Sequence, residues 1–441
     1  MSDKIKVVYS WIGPKGPLWN TELPNVMSLA CASENAQVDS RFFMADSVWQ
    51  QMFSKTPELY EIYPAVSIDT EDDRPFVIPY TLFWRIDFST YFCGKTGLLE
   101  FAHVPWHLIR LVRMKNGYIL IDHGVEAYMS HGHLNALHSY FGAIHGIPLH
   151  KIIYLTGAVN ATELYEEYCI TKGIPDDKNN RLTIIPYASS SYIFSSYLND
   201  PEDEPAYDTE TVPEKLFLMW NRRFRVHRLE MVVQLENLDL VDKSYISFSR
   251  ENIERPIDTF LIEAQHQRIA EKYDLSQEVI ERFNNKLPLI LDGEDQIQQM
   301  CSDEGHKSRP YYQNSLVSIV TETNFRDAEV TLTEKSFKPF KEKHPFVLVA
   351  GPGAIKFLRS LGFKTFSEFW PEDYDQNGAP EDRIKRIVEV IKVIANWNPE
   401  EVLDFKRRVK PILDHNFNLI KNLNVAPLMK HINDIVKTDM K

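Results

Sequence analysis

The chain has 441 residues, a formal net charge of −13 and four widely spaced cysteines. This length predicts two or three domains, each with its own core. The acidic balance disfavours a protein that holds nucleic acid mainly through phosphate contacts. The cysteine spacing disfavours both a disulfide framework and a zinc site.

No segment approaches the roughly 20 apolar residues that a transmembrane helix needs. Residues 4–12 read as a first buried strand, so we expect no secretory signal. Unpaired cysteines suit a reducing compartment. We therefore predict a cytoplasmic protein without a membrane span.

Predicted strands and helices alternate through the first half of the chain. The strands are expected at 4–12, 117–122, 151–156 and 182–186, and the helices at 21–33, 130–145 and 161–172. Ser130 is the expected cap of the second helix. Such alternation favours a parallel α/β architecture over a sandwich.

Polar residues follow the predicted strand 117–122, and eight of the fourteen histidines fall between residues 103 and 150. A metal centre is one interpretation, but His-x-His spacing at a helix start does not guarantee convergent ligands. We favour a general base at this strand end, and no metal. The candidates are Glu126 first, then Asp122, His123 and His131.

Residues 198–214 are acidic, proline-rich and poor in apolar residues, which is typical of a linker. A new strand is expected at 215–220 and a helix at 226–238. Weakly patterned helices follow at 255–310. Two helices, near 381–396 and 399–422, end the second half. Two α/β halves joined by a linker predict a cleft between them, where small molecules commonly bind.

Positive charge is concentrated directly after the strand at 215–220. Arginine offers planar, paired donors that suit phosphate oxygens. A solvated basic face is one interpretation; we favour an anion site, because the run lies between a buried strand and an amphipathic helix. The candidate ligands are Asn221, Arg222, Arg223, Arg225 and Arg228.

The region 316–360 reads as strand, acidic turn, helix, strand and Gly-Pro-Gly turn. Ligands bind at the carboxyl ends of such strands, beside helix N-termini that favour phosphate. A helix cap and the helix dipole explain Thr333 and Glu334 without a ligand. They do not explain Lys335, because a cation is disfavoured at a helix start unless an anion lies opposite it. The candidates here are Glu322, Thr333, Glu334, Lys335, Gly351 and Gly353.

The segment 217–228, with Glu322 and the Thr333-Glu334-Lys335 helix start, resembles the donor-binding half of GT-B glycosyltransferases, especially the fucosyltransferase-like group. The resemblance implies two Rossmann-like domains facing a cleft, with C-terminal helices crossing back to the first. It places Glu334 on the donor ribose or sugar, and Lys335 with Arg222, Arg223 or Arg225 on the diphosphate. It also implies an inverting transfer that requires no metal or other cofactor.

The whole chain also resembles a family of proteins from large tailed phages and related viruses. The matching segments are 11–14, 152–157 and 358–366. For a viral protein, the compartment is the host cytoplasm. This resemblance gives a second candidate acceptor besides a glycan, namely a hydroxymethylated pyrimidine of viral DNA.

The resulting prediction is a glycosyltransferase with a nucleotide diphosphate-sugar donor. Its expected parts are an acceptor-side domain (1–197), a linker (198–214), a donor-binding domain (215–398), and helices that pack back on the first domain (399–441). Two alternatives stay open: a non-catalytic nucleotide- or glycan-binding module, and a histidine-based, metal-dependent hydrolase. Asp373 and Asp375 match a metal-binding pattern, but a solvated loop is the favoured interpretation. The sequence indicates no oligomeric state.

Overall fold

The computed structural model describes residues 5–9, 12–13, 16–17, 60–64, 75–81, 106–124, 129–188, 204–221, 224–248, 259–291, 305–326, 328–423 and 426–438. The chain forms two compact units, residues 1–193 with 424–441, and residues 194–423. Each unit contains a parallel sheet, so the predicted α/β class with two Rossmann-like parts is confirmed. The predicted helix at 21–33 lies outside the described residues.

The first unit contains a six-stranded parallel sheet of order β4-β1-β5-β6-β7-β8. Strands β6 and β7 are buried along their whole length, as expected for a sheet covered on both faces. The strands are β1 Ile5–Tyr9, β4 Tyr60–Pro64, β5 Phe76–Thr81, β6 Gly117–His123, β7 Ile152–Thr156 and β8 Thr183–Pro186, with a separate antiparallel pair β2 Ile12–Gly13 and β3 Gly16–Pro17.

Helices of the first unit cover both faces of this sheet. They are α1 Trp106–Met114, α2 His131–Leu137, which continues as a π-helix over His138–Ile144, α3 Ala161–Lys172, and the C-terminal α12 Ala426–Thr438. Ser130 caps α2 as predicted, its hydroxyl accepting from the His133 N–H. Helix α12 buries Met429, Ile432 and Val436 against the sheet, so the chain ends on the unit in which it begins.

The second unit contains a four-stranded parallel sheet of order β10-β9-β11-β12. Its strands are β9 Lys215–Asn221, β10 Ser244–Phe248, β11 Ser315–Thr321 and β12 Phe346–Val349. Its helices are α4 Val226–Asn237, α5 Thr259–Tyr273, α6 Gln277–Lys286, α7 Gly305–Gln313, α8 Glu334–Lys341, α9 Ala354–Ser360, α10 Pro380–Ala395 and α11 Pro399–Asn422.

Buried carboxylates attach the weakly patterned helices α5 and α6 to α4. Glu230 of α4 pairs with Lys272 at 2.8 Å, and Glu236 pairs with Arg282 at 3.0 Å and with Lys286 at 2.9 Å. The residues of α4 from 227 to 236 are all buried. A helix buried on every side shows no simple apolar stripe, and its contacts with α5 and α6 are partly ionic.

The unit boundaries differ from the predicted ones. Residues 204–214, expected to be a linker, are bound to the second unit: Lys343 pairs with Glu204, and Lys406 Nζ donates to the Thr211 carbonyl at 2.6 Å. Helix α11, expected on the first unit, belongs to the second, because Phe405 packs against Phe369 there. Only α12 returns.

Among the described helices, none combines the length and the apolar composition that crossing a membrane requires.

Candidate functional site

At the carboxyl edge of the second sheet, the main-chain pairing between β9 and β11 opens before the strands end. The two strands are paired from Lys215 and Ser315 only as far as Leu218 and Ser318, although they continue to Asn221 and Thr321. The strand order also reverses here, since the chain goes from β9 outward to β10 and then back to β11. Open α/β sheets bind ligands at such a reversal. We call this opening the β9–β11 crevice.

The Asn221 side chain bridges the crevice. Its Oδ1 accepts a hydrogen bond from the Thr321 hydroxyl at 2.7 Å, and the residue is 3% exposed. Its Nδ2 has no hydrogen-bond partner among the described residues. A buried donor without a partner carries a desolvation penalty, so the predicted ligand Asn221 retains an unused donor at this strand end.

Glu322, predicted as a ligand contact, is instead fully buried and holds the start of α8. One carboxylate oxygen accepts from the Thr333 N–H at 2.8 Å and from the Ser336 hydroxyl at 2.6 Å. The other accepts from the Thr333 hydroxyl at 2.6 Å and from the Thr323 N–H at 3.2 Å. Both oxygens are used within the protein, so Glu322 is a positioning residue.

The Glu322 main-chain carbonyl holds the start of α4 as well. It accepts from His227 Nε2 at 2.8 Å and from Arg228 Nη2 at 3.4 Å. Burial, reinforced by the Arg228 charge, lowers the pKa of His227 to about 3, so its ring is neutral. Arg228, predicted to bind phosphate, is 2% exposed and donates to the main chain of β11. Its role is to connect α4 to the sheet.

The Thr333-Glu334-Lys335 segment begins α8, with Thr333 as the predicted N-cap. Lys335 Nζ lies 2.6 Å from the Glu334 carboxylate, and the two side chains are 26% and 44% exposed. Burial opposes ionisation of Glu334, but the Lys335 charge outweighs it and lowers the Glu334 pKa to about 2. The helix start therefore presents an ion pair, one residue of each sign, at the surface.

Within the described part of the chain, helix α4 begins without a side-chain cap from its N-cap residue. This residue is Arg225, which makes no capping hydrogen bond and donates from Nη1 to the Phe224 carbonyl at 3.0 Å. The first N–H groups of a helix need acceptors from outside the helix. Arg222 and Arg223, predicted as phosphate ligands, lie outside the described residues.

The Gly-Pro-Gly turn does not offer a phosphate site, contrary to the prediction for Gly351 and Gly353. The N-terminus of α9 is occupied by Asp375, whose carboxylate accepts from the N–H groups of Ile355 at 2.9 Å and Lys356 at 3.0 Å. Gly353 is needed for its φ of +86°, and a Cβ on Gly351 would lie 2.9 Å from Val330 Cγ2. Both glycines serve the local backbone.

Asp375 is therefore a helix cap, rather than part of the solvated loop predicted for Asp373 and Asp375. Burial raises its pKa, and the two amide donors act in the opposite direction. We expect Asp375→Ala to lower the free energy of unfolding by about 1–2 kcal/mol, as for other lost caps. Asp373→Ala is the matched control, since Asp373 is 49% exposed and pairs only with Arg386 among the described residues. Denaturant titrations measure both, and equal effects would contradict the cap.

Arg383 is a residue of this edge that sequence reasoning missed. It is 3% exposed on α10 and donates to the carbonyls of Tyr374 at 2.8 Å and Ala350 at 2.5 Å. Burial lowers its pKa to about 10, so the guanidinium stays charged at neutral pH. The charged run at 381–386 reads as an exposed face, and nothing local distinguishes the one buried arginine in it.

In the first unit, the candidate bases differ in accessibility. His123 is fully buried, with its Nδ1 2.7 Å from the Tyr154 hydroxyl, and its ring centroid lies 5.5 Å from that of His133. Asp122 is 4% exposed and accepts from the Gly124 N–H at 3.0 Å. His131 is exposed at the start of α2. Glu126, the favoured base, lies outside the described residues.

Burial lowers the pKa of His123 to about 3, which predicts acid destabilisation of the first unit. Between this value and the ordinary pKa near 6.5, the unfolded chain binds a proton that the folded chain does not. The free energy of unfolding therefore falls as pH falls below about 6.5, by at most about 1.4 kcal/mol per pH unit for this group. Denaturation at pH 7 and 5 should show His123→Gln reducing this pH dependence. Equal curves for His123→Gln and the unmodified chain would contradict the assignment.

Across the described part of the chain, no three histidine, cysteine, aspartate or glutamate side chains are grouped as ligands for a metal ion.

No protein-family model and no curated protein matches the chain. Similar solved structures include an α,α-trehalose-phosphate synthase (UDP-forming) from Burkholderia vietnamiensis, with a TM-score of 0.42, 10% identity and 99% of each chain covered. A glycosyltransferase from Rickettsia africae ESF-5 has a TM-score of 0.40, 10% identity and the same coverage. An α1,3-fucosyltransferase has a TM-score of 0.32 and 7% identity over 98% of this chain and 90% of its own. TM-scores of this size leave the function to be argued from the residues themselves.

Proposed function

We propose that the chain is a glycosyltransferase that takes its sugar from a nucleotide diphosphate-sugar. The observation that carries the proposal is the convergence of two helix starts on one strand end. Glu322, directly after β11, holds α8 through its carboxylate and α4 through its carbonyl. This strand end borders the β9–β11 crevice, where the strand order reverses.

These two helix starts favour a ligand with two negative groups, because the α4 N-terminus carries partial positive charge and a lysine ammonium lies at the start of α8. Among the described residues, the N-cap residue of α4 supplies no side-chain cap, and the ammonium beside α8 is that of Lys335. A diphosphate supplies two linked anionic groups. The unused Asn221 Nδ2 adds a neutral donor at the same edge.

The proposed roles follow from these positions. Lys335 and Arg225 bind the diphosphate, together with Arg222 and Arg223 from the sequence prediction. Glu334, ionised at neutral pH because its pKa is about 2, accepts hydrogen bonds from hydroxyls of the donor ribose or sugar.

In the proposed reaction, an acceptor hydroxyl oxygen forms a bond to the anomeric carbon of the donor. The bond from that carbon to the diphosphate oxygen breaks, and the electron pair leaves with the diphosphate. A base takes the acceptor proton. Direct displacement inverts the anomeric centre, and Lys335 stabilises the leaving charge without a metal ion.

The base and the acceptor remain proposals from the sequence. Glu126 is the first choice for the base, followed by Asp122 and His131. His123 is a poor base, because burial holds its pKa near 3. The acceptor is a glycan or a hydroxymethylated pyrimidine of viral DNA.

Thermal-shift measurements with UDP-, GDP-, ADP- and CMP-sugars test the proposal, followed by transfer assays on both acceptor classes. We expect one nucleoside diphosphate-sugar to stabilise the protein and to donate its sugar with inversion, in the presence of EDTA. No stabilisation by any nucleotide-sugar would contradict the donor site. Binding without transfer would favour the non-catalytic module, and hydrolysis that requires added metal would favour the hydrolase.

A further inference from the structure

Arg383 joins three separate segments at the carboxyl edge of the second sheet. Its guanidinium donates to the carbonyls of Tyr374, before Asp375, of Ala350, at the end of β12, and of Phe325, in the loop after β11, the last at 3.5 Å. It also lies 4.7 Å from the centroid of the Phe325 ring. All of these contacts are with the protein's own main chain or with an aromatic face.

The Arg383 charge has no carboxylate partner within ion-pair distance in the described part of the chain. Arg326 differs in this respect, because it pairs with Glu230 at 2.7 Å and with Glu381 at 2.8 Å. A buried cation is costly unless it is paired or well hydrogen-bonded. Three carbonyl oxygens solvate Arg383 but leave its net charge in place.

This charge lies close to the proposed diphosphate site. Ala350 follows β12, and β12 is the neighbour of β11 on the side away from β9. Neighbouring strands are about 4.8 Å apart, so the end of β12 lies roughly 7 Å from the middle of the β9–β11 crevice, and the guanidinium bound there lies within roughly 10 Å of it. The intervening residues are packed, since the Phe325 ring stacks on His227 at 5.4 Å and His227 binds the Glu322 carbonyl.

We propose that Arg383 is a positioning residue whose charge, which forms no ion pair among the described residues, favours an anionic donor at the β9–β11 crevice without touching it. The inference rests on the proposed function. Carbonyl oxygens at strand carboxyl ends are partly negative and oppose an anion. Arg383 binds one of them, the Ala350 carbonyl after β12, together with two loop carbonyls. It also adds a positive charge, with a field that a low effective dielectric preserves over this distance.

Isothermal titration with inorganic pyrophosphate tests this, using Arg383→Met and Arg383→Lys. We expect Arg383→Met to bind pyrophosphate at least about tenfold more weakly, because removal of one charge near 10 Å at an effective dielectric of about 20 costs about tenfold for each negative charge on the ligand. Arg383→Lys keeps the charge but loses the guanidinium geometry, so its affinity should stay within about threefold. Binding of an uncharged nucleoside should not change in either variant. A purely structural role would impair both variants equally, and would impair nucleoside binding as well.

A second variant tests the charge without altering Arg383. Asp375 is the carboxylate whose charge acts on Arg383, so Asp375→Asn should tighten pyrophosphate binding about threefold. Unchanged pyrophosphate affinity in Arg383→Met would overturn this inference and leave the proposed function standing. If the Arg383 variants do not fold, unchanged affinity in Asp375→Asn would do the same. Failure of the unmodified protein to bind pyrophosphate would overturn the proposed function, and this inference with it.

Discussion

We expect Lys335→Ala to lower kcat of sugar transfer by about 10²–10³-fold while the protein stays folded. Loss of one preorganised group that stabilises developing charge has this effect in other enzymes. Lys335 is partly exposed, and within the described residues its ammonium contacts only Thr333 and Glu334. The fold therefore does not depend on it. Steady-state kinetics with the preferred nucleotide-sugar measure the loss.

The matched control is Lys385→Ala, which removes the same charge from an exposed position on α10. It should leave kcat within about twofold, because exposed charges are strongly screened. Lys335→Arg keeps the charge and should retain more activity than the alanine variant. Full transfer activity in Lys335→Ala would remove Lys335 from the mechanism, and equal losses in both alanine variants would indicate a nonspecific charge effect.

Local sequence patterns were sufficient to predict the strand and the helix that border the β9–β11 crevice. A strand at 215–220 and a helix at 226–238 were predicted, and the structure has them at Lys215–Asn221 and Val226–Asn237. Apolar runs that end in glycine or polar residues identify buried parallel strands, and capping residues identify helix starts. The Thr333 cap is such a case. These signals lie within a few residues of one another, so sequence alone reveals them.

The roles of side chains that act across the sheet were not predictable in this way. Glu322 and Arg228 have charged side chains of the kind that bind ligands. Each is nevertheless buried and binds main-chain or side-chain groups from a distant segment. Asp375 caps the start of helix α9, where it accepts from an N–H group twenty residues earlier in the chain. Whether a charged residue meets a ligand or another part of the protein depends on tertiary contacts, which neither periodicity nor spacing encodes.

The expected linker and the expected position of helix α11 differ from the structure for a related reason. An acidic, proline-rich composition indicates weak core-forming ability, but 204–214 is held by ion pairs and main-chain hydrogen bonds from Lys343 and Lys406. Both lysines come from parts of the sequence far from this segment. Composition describes what a segment can bury, and says nothing about the partners that bind it from outside.

Glu322→Ala should be the most destabilising substitution at the site. It leaves Thr333 N–H and Thr323 N–H without their acceptor, together with two hydroxyls, beside a new cavity. Buried groups without partners cost about 1–3 kcal/mol each, with hydroxyls able to reorient. We expect the free energy of unfolding to fall by about 3–5 kcal/mol, because two N–H groups lose their buried acceptor beside the cavity. Denaturant unfolding measures the total. Hydrogen exchange should show lost protection in the first turn of α8, and a smaller change in α4, which is held by the main-chain carbonyl that alanine retains.

Glu322→Gln separates a positioning role from a ligand role. The amide keeps one acceptor oxygen, and the Thr333 or Ser336 hydroxyl can turn to accept from its NH₂, so the cost should be only about 1–2 kcal/mol. Pyrophosphate affinity should stay within about threefold, because the Glu322 carboxylate faces protein donors only. Glu389→Ala, on an exposed pair with Lys392, should change stability by less than about 0.5 kcal/mol. A large loss of pyrophosphate affinity in a stable Glu322→Gln protein would indicate that Glu322 contacts the ligand, as the sequence predicts.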